Sequence, residues 1–162
     1  MKIFIVDEHD NFLKFVEYQE RQPTDIYRVA ALWATNPNDQ ILLAQRKFTK
    51  HNDPGKWGPA VAGTIEEGET YETNIYKEAE EEVGLSGVPF KMGPKIFNDK
   101  GRFKFFVQWF LAEIDWPIGK FKIQRDEVEE IRWIDKASLK RDLDKSPSNY
   151  IAGAEKVWQE FL

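Results

Sequence analysis

The stretch from Tyr71 to Leu85, YETNIYKEAEEEVGL, constrains this chain more than any other. Tyr71, Ile75, Ala79 and Val83 recur every four residues, a spacing that predicts a helix with one buried stripe. Thr70 stands where an N-cap belongs, Glu72 falls in the first turn, and Gly84 supplies a C-terminal stop. The other face is harder to account for. Glu78, Glu81 and Glu82 lie at i, i+3 and i+4, so three carboxylates leave the helix on one side. Like charges at that spacing repel by a few tenths of a kcal/mol per pair, roughly, and they crowd the end where the helix dipole disfavours anions. Lys77 is the single local compensation. A local rule broken without evident gain points to function. The simplest missing partner is a divalent cation, and clustered carboxylates suit the hard ions Mg²⁺, Mn²⁺ or Ca²⁺. A solvated acidic face is the competing explanation.

The residues before the helix decide against that explanation. Gly63 is followed after five residues by Glu69, then after seven more by Lys77-Glu78-Ala79, Glu81-Glu82 and Gly84-Leu85. This pattern resembles the box of the Nudix hydrolases, G-x5-E-x7-R-E-u-x-E-E-x-G-u, where u is apolar. One position departs: the Arg of the box is Lys77. The resemblance implies a loop–helix–loop that holds Mg²⁺ or Mn²⁺ against a diphosphate. It makes Glu78 and Glu82 metal ligands and Glu81 a ligand or the base that activates water. Gly63 would bring its backbone close to metal and phosphates, as a residue without Cβ can. Glu69 would pair with Lys77 and fix the helix, with Gly84 closing it. Lys for Arg keeps the charge and loses the planar bidentate fork.

The implied fold is an α/β/α sandwich with a mixed central sheet. The box helix lies on one face and a C-terminal helix, about 147–162, on the other. At 162 residues the chain is read as a single Nudix domain. An N-terminal β-hairpin, about 1–20, is placed to pack on that domain or on a second subunit, which leaves a homodimer open. Hydrophobic residues at 41% and six Trp exclude a disordered chain. A formal charge of −5, concentrated in the box and at Asp126–Glu130, argues against a nucleic-acid polymer as partner. With no cysteine, disulfides, thiolate metal sites and cysteine nucleophiles are excluded. The apolar run in MKIFIVDEHD is too short for a signal peptide or a membrane span, so the default expectation is a soluble, cytoplasmic protein.

Elsewhere Ile26–Thr35 and Ile41–Gln45 read as a central hairpin around the turn Asn36–Asp39. Arg46, Lys47 and Lys50 follow, and cations there suit substrate phosphates. Pro54-Gly55-Lys56-Trp57 together with this basic segment resembles the isopentenyl-diphosphate-isomerase-like branch of the Nudix superfamily. Trp57 is read as packing. The aromatics Phe103, Phe105, Phe106, Trp109 and Phe110 on the strand Phe103–Ile114 are read as core rather than as a base-stacking site. Glu127, near the strand Val128–Ile134, is the first candidate for a carboxylate recruited from outside the box.

The activity implied is metal-dependent hydrolysis of a diphosphate linkage, in a nucleoside diphosphate joined to another group X. Glu81 is favoured as base over Glu127, with Glu78 held in reserve. Two rivals remain. An isomerase would carry a cysteine before the box glycine, where this chain has Ala62, and a cluster of histidines, where it has only His9 and His51. A non-catalytic nucleotide-binding module would be expected to lose box acids, and all four are kept.

Overall fold

The computed structural model describes residues 1–162. Nine strands form one mixed sheet. They are β1 (Lys2–Val6), β2 (Phe12–Glu17), β3 (Ile26–Thr35), β4 (Gln40–Arg46), β5 (Trp57–Pro59), β6 (Val61–Thr64), β7 (Lys91–Asn98), β8 (Lys104–Glu113) and β9 (Val128–Asp135). The helices are α1 (Tyr71–Val83), α2 (Lys136–Lys145) and the short α3 (Ala154–Val157).

β3 is the axis of the sheet. β8 runs parallel to it from Ile26↔Lys104 to Thr35↔Glu113. The other edge of β3 is shared by β1 at Ile26 and Tyr27, β6 from Val29 to Leu32, and β4 at Thr35. β4 carries β5 and β9, and β7 lies outside β8.

The period of two along β3 sorts its side chains between two layers. Ala30, Leu32 and Ala34 share one cluster with Ile75, Ala79, Val83 and Leu85 of α1 and its exit. Ala31 and Trp33 share the other with Leu139 and Leu143 of α2 and with Tyr150, Val157 and Trp158. The architecture is therefore an α/β/α sandwich. Each fully buried aliphatic side chain of α1 contributes about 1.5–3 kcal/mol, so the helix is held by its stripe and not by its charged face.

The N-terminal hairpin belongs to this sheet. β1 pairs with both β2 and β3, and the turn is tied down by Asp10. Its carboxylate accepts from Arg28 Nε at 2.7 Å, Lys95 Nζ at 2.6 Å and Tyr71 Oη at 3.2 Å. Burial works against that charge, but Lys95 and Arg28 outweigh it and hold the Asp10 pKa low.

The C-terminus departs from the expected helix over 147–162. A 3₁₀ turn covers Pro147–Asn149, Tyr150 is extended and bridges to Trp57, and Gly153 sits at φ +85° before α3. Ile151 N–H donates to Trp57 O at 3.0 Å. Pairing with β5 and burying Tyr150 override helical continuity there. The apolar stripe survives as separate turns on the same face of the sheet. No helix is long and apolar enough to cross a membrane.

Candidate active site

β6 leads into the site, and α1 forms its floor. Thr70 caps the helix, accepting from Thr73 N at 3.1 Å, while Thr73 Oγ1 accepts from Thr70 N at 2.9 Å. At the other end Gly84 takes φ +67°, with Gly84 N–H to Glu80 O and Leu85 N–H to Ala79 O. A Cβ on Gly84 would also meet Lys122 Cβ at 3.0 Å. That approach matters, because Lys122 N and Gln124 N donate to the last carbonyls of α1, Val83 O at 2.9 Å and Glu82 O at 2.8 Å. The chain is thus drawn across the helix end and delivers Glu127 beside Glu82.

Gly63 is pressed against the helix. A Cβ there would stand 2.4 Å from Glu78 Cγ and 2.7 Å from Asn74 Oδ1. One residue earlier, Ala62 N–H donates to Glu82 Oε2 at 3.1 Å. Two of the three clustered glutamates therefore lie against β6. Burial raises the Glu78 pKa, with Lys77 opposing and Glu81 adding to the shift. Burial, and next the charge of Glu78, push Glu82 up to about 8, with Glu127 adding. Glu81 projects outward and is exposed.

Lys77 lies among carboxylates: Glu69 Oε1 at 2.5 Å, Glu78 Oε1 at 3.4 Å and Glu66 Oε1 at 3.6 Å. Burial opposes its charge, but these neighbours outweigh it and raise its pKa. Glu69 Oε2 accepts from Glu66 N at 3.0 Å and Asn74 Nδ2 at 2.8 Å. Burial raises the Glu69 pKa, but these bonds and Lys77 bring it net below the usual range.

In the basic segment two of the three cations are engaged by carboxylates. Lys47 pairs with Glu129 at 2.8 Å and Lys50 with Glu127, so both cations meet carboxylates. Arg46 borders the cleft, its guanidinium aimed by a 3.0 Å bond from Nε to Asn52 O. That cleft, about 560 Å³, opens beside Ala62, Gly63 and Thr64. Its size fits a small-molecule site. Trp57 is buried, with the Arg132 guanidinium 4.0 Å from its ring. The strand aromatics divide: Trp109 and Phe110 are buried, whereas Phe103 and Phe105 border the cleft and are only half-buried. Phe103 and Phe105 pack at the margin of the core, where β8 begins beside the cleft.

A model of the NUDIX domain matches residues 26–153. The chain belongs to the Nudix family. An uncharacterized Nudix hydrolase of Yersinia pestis is 28% identical over 131 residues, covering 80% of this chain and 70% of that protein. Among solved structures, DR0079 of Deinococcus radiodurans matches with a TM-score of 0.85 and 16% identity, covering 99% of this chain and 98% of that one. The NUDIX domain of Shewanella oneidensis NrtR, solved with ADP ribose, matches with a TM-score of 0.59 and 19% identity, covering 70% of this chain and 75% of that one. The chain is accordingly a Nudix hydrolase, and it shares with these structures the fold.

Members of the Nudix family generally use divalent metals, and the residues present suit one. The candidate donors are carboxylates, the half-buried Glu78 and Glu82 repel each other, and Asn74 Oδ1 is buried without a partner. No three acidic or histidine side chains converge into a ready-made cage.

Asn74 was missed from the sequence. It is fully buried on α1, donating to Thr64 O at 3.1 Å as well as to Glu69. The signal was present: a polar residue beside Ile75, on the buried side of an amphipathic helix, has to bond something.

Proposed function

We propose that the chain hydrolyses a diphosphate linkage in a nucleoside diphosphate joined to a further group, with Mg²⁺ or Mn²⁺ as cofactor. The observation that carries the reading is the pair Glu78 and Glu82. Both are pushed toward protonation by burial, and both lie against β6, whose Ala62, Gly63 and Thr64 border a cleft of small-molecule size. Nucleotide-like ligands occur among its structural relatives, as the ADP ribose bound to the NrtR domain illustrates.

Glu78, Glu82 and the Gly63 carbonyl would hold the cation, with Glu81 available to a second. The bound ion would neutralise phosphate oxygens and lower the pKa of water. The residues of the chain do the rest. Water attacks phosphorus, an O–P bond forms, and the bridging P–O bond breaks with its electron pair leaving on the second phosphate. Glu81, exposed and beside Glu78, takes the proton from the attacking water. Glu127 is less free to do so, because Lys50 engages its carboxylate. Arg46 orients the phosphates from the cleft edge. Lys47 and Lys50 reach them only by exchanging out of their ion pairs. Glu69 and Lys77 hold the helix to the loop that carries Gly63.

The test is cleavage of a panel of nucleotide and non-nucleotide diphosphates with Mg²⁺ and Mn²⁺, followed as formation of the two phosphomonoester products, on wild type, Glu81→Gln and Glu127→Gln. Glu81→Gln should keep metal affinity and lose roughly 10²–10⁴-fold in turnover, and Glu127→Gln should lose less. Cleavage of no substrate with either metal overturns the hydrolase. Wild-type turnover in Glu81→Gln overturns the base assignment alone.

A further inference from the structure

The cleft beside the box is not built by residues 26–153 alone. Tyr18, which follows β2 of the hairpin and precedes the matched domain, lies on its wall. Three observations give that placement a purpose.

The first is continuity. Tyr18 stands near Tyr27, whose pKa is raised first by burial and then by the Tyr18 hydroxyl. Tyr27 is register partner to Phe105, their rings 5.4 Å apart, and Phe105 is partner to Asn98 on β7. One wall therefore runs from the hairpin across β3 and β8 to β7, aromatic for most of its length.

The second is rigidity. The Arg21 guanidinium lies 3.7 Å from the centre of the Tyr18 ring and 4.0 Å from that of Phe103, and it also donates to Tyr18 O. A ring clamped this way keeps its orientation before any ligand arrives, which lowers the entropy lost on binding.

The third is polarity at the far end of the wall. Asn98 is buried, 7% exposed, yet its amide nitrogen donates only one long bond, 3.4 Å to Ala152 O. Its second N–H has no partner in the protein. An alkyl chain would leave that donor unpaired at a cost. A flat ring that carries carbonyl or imino acceptors satisfies both the aromatic wall and the amide.

From this we infer that Tyr18 is a specificity-determining residue: the hairpin completes the cleft, and the Tyr18–Phe103–Phe105 wall stacks the heteroaromatic base of the substrate. This rests on the hydrolase reading for the position of the diphosphate at the box, but not for the base site itself. Tyr18 acts on binding and stands outside the acidic cluster, so it should alter KM and spare kcat.

The experiment uses the full chain with Tyr18→Ala and Tyr18→Phe. The probes are the four ribonucleoside 5′-diphosphates and methyl diphosphate, which has no ring. Steady-state kinetics with Mg²⁺ are paired with calorimetric binding in Ca²⁺. Tyr18→Ala should raise KM and Kd for at least one nucleoside diphosphate about tenfold, with kcat within about twofold and methyl diphosphate unaffected; Tyr18→Phe should match wild type. Equal weakening for methyl diphosphate, or no change for any nucleotide, overturns the inference, as does a wild type that binds no nucleoside diphosphate. The two readings fail separately. Hydrolysis of ring-free diphosphates alone would sink the base site and keep the hydrolase. Tyr18-dependent nucleotide binding without hydrolysis would do the reverse.

Discussion

Glu82→Gln separates the electrostatic strain of the acidic cluster from its chemistry. Burial and the neighbouring Glu78 push the Glu82 carboxyl from its ordinary 4.5 up to about 8. In the folded chain without metal it therefore stays protonated until that range, while in the unfolded chain it ionises near 4.5. The sign follows from linkage. Stability due to this group is fully present below about 4.5 and is lost as pH rises from there through about 8. Each pKa unit is worth about 1.36 kcal/mol, which sets a ceiling near 5 kcal/mol. Relaxation and water penetration reduce such penalties, so a loss of about 1–3 kcal/mol is expected. The assay is urea unfolding in EDTA between pH 5 and pH 8.5. Wild type should lose that amount across the interval, and Glu82→Gln should lose much less, keeping only the smaller contribution of Glu78. Glu69 and Asp10, whose pKa values are lowered, act in the opposite sense and below the ordinary carboxylate range, so they do not confuse the window. Added Mg²⁺ at pH 8 should stabilise wild type more than the variant. A wild-type profile as flat as that of Glu82→Gln, or one that rises over the interval, refutes the buried-pair reasoning.

Two further substitutions probe the frame around the cluster. Gly63→Ala places a Cβ 2.4 Å from Glu78 Cγ; it should cost about 1–3 kcal/mol in thermal or urea unfolding and roughly 10²-fold in kcat/KM, since a displacement near 1 Å costs that much. Lys77→Ala leaves Glu66, Glu69 and Glu78 without their shared cation and should destabilise by about 1–2 kcal/mol, discounted for the partial exposure of Lys77; Lys77→Arg should unfold within about 0.5 kcal/mol of wild type, and equal stability of the alanine variant would show the contact to be incidental.

What could be read from the sequence was local. The stripe of α1, its Thr70 cap and its Gly84 stop are encoded within fifteen residues, and periodicity reports them directly. The strands β3 and β4 announced themselves through apolar runs around Asn36–Asp39 for the same reason, but they pair only at Thr35 and Ile41, because β8 and β6 take most of the edges of β3. The C-terminus shows the limit. Ile151, Ala154, Val157 and Trp158 have helical spacing, yet the chain there bridges to Trp57 and turns at Gly153. Periodicity records which face a residue buries, and a broken chain of turns can bury the same face as a helix. Nothing in the spacing announces a pairing with a strand about ninety residues away.

The same distinction explains the site. Glu69, Lys77, Glu78 and Glu82 lie within one loop and one helix, so sequence spacing places them. Glu127, Arg46 and Tyr18 come from three separate segments; the fold brings Arg46 and Tyr18 to one cleft and Glu127 beside Glu82. Their roles depend on partners that spacing cannot name: Lys50 engages Glu127, Asn52 aims Arg46, and Arg21 clamps Tyr18. Lys47 and Lys50 carry the charge a phosphate site needs, but in the fold that charge already faces Glu129 and Glu127. A diphosphate arriving with its cation changes both sides of those pairs at once. The cation attracts the carboxylates and the phosphates attract the lysines, so breaking the pairs costs less than their isolated geometry suggests. In the proposed reaction the box would fix where the bond is cut, and the segments around it would decide which molecule is held there long enough to be cut.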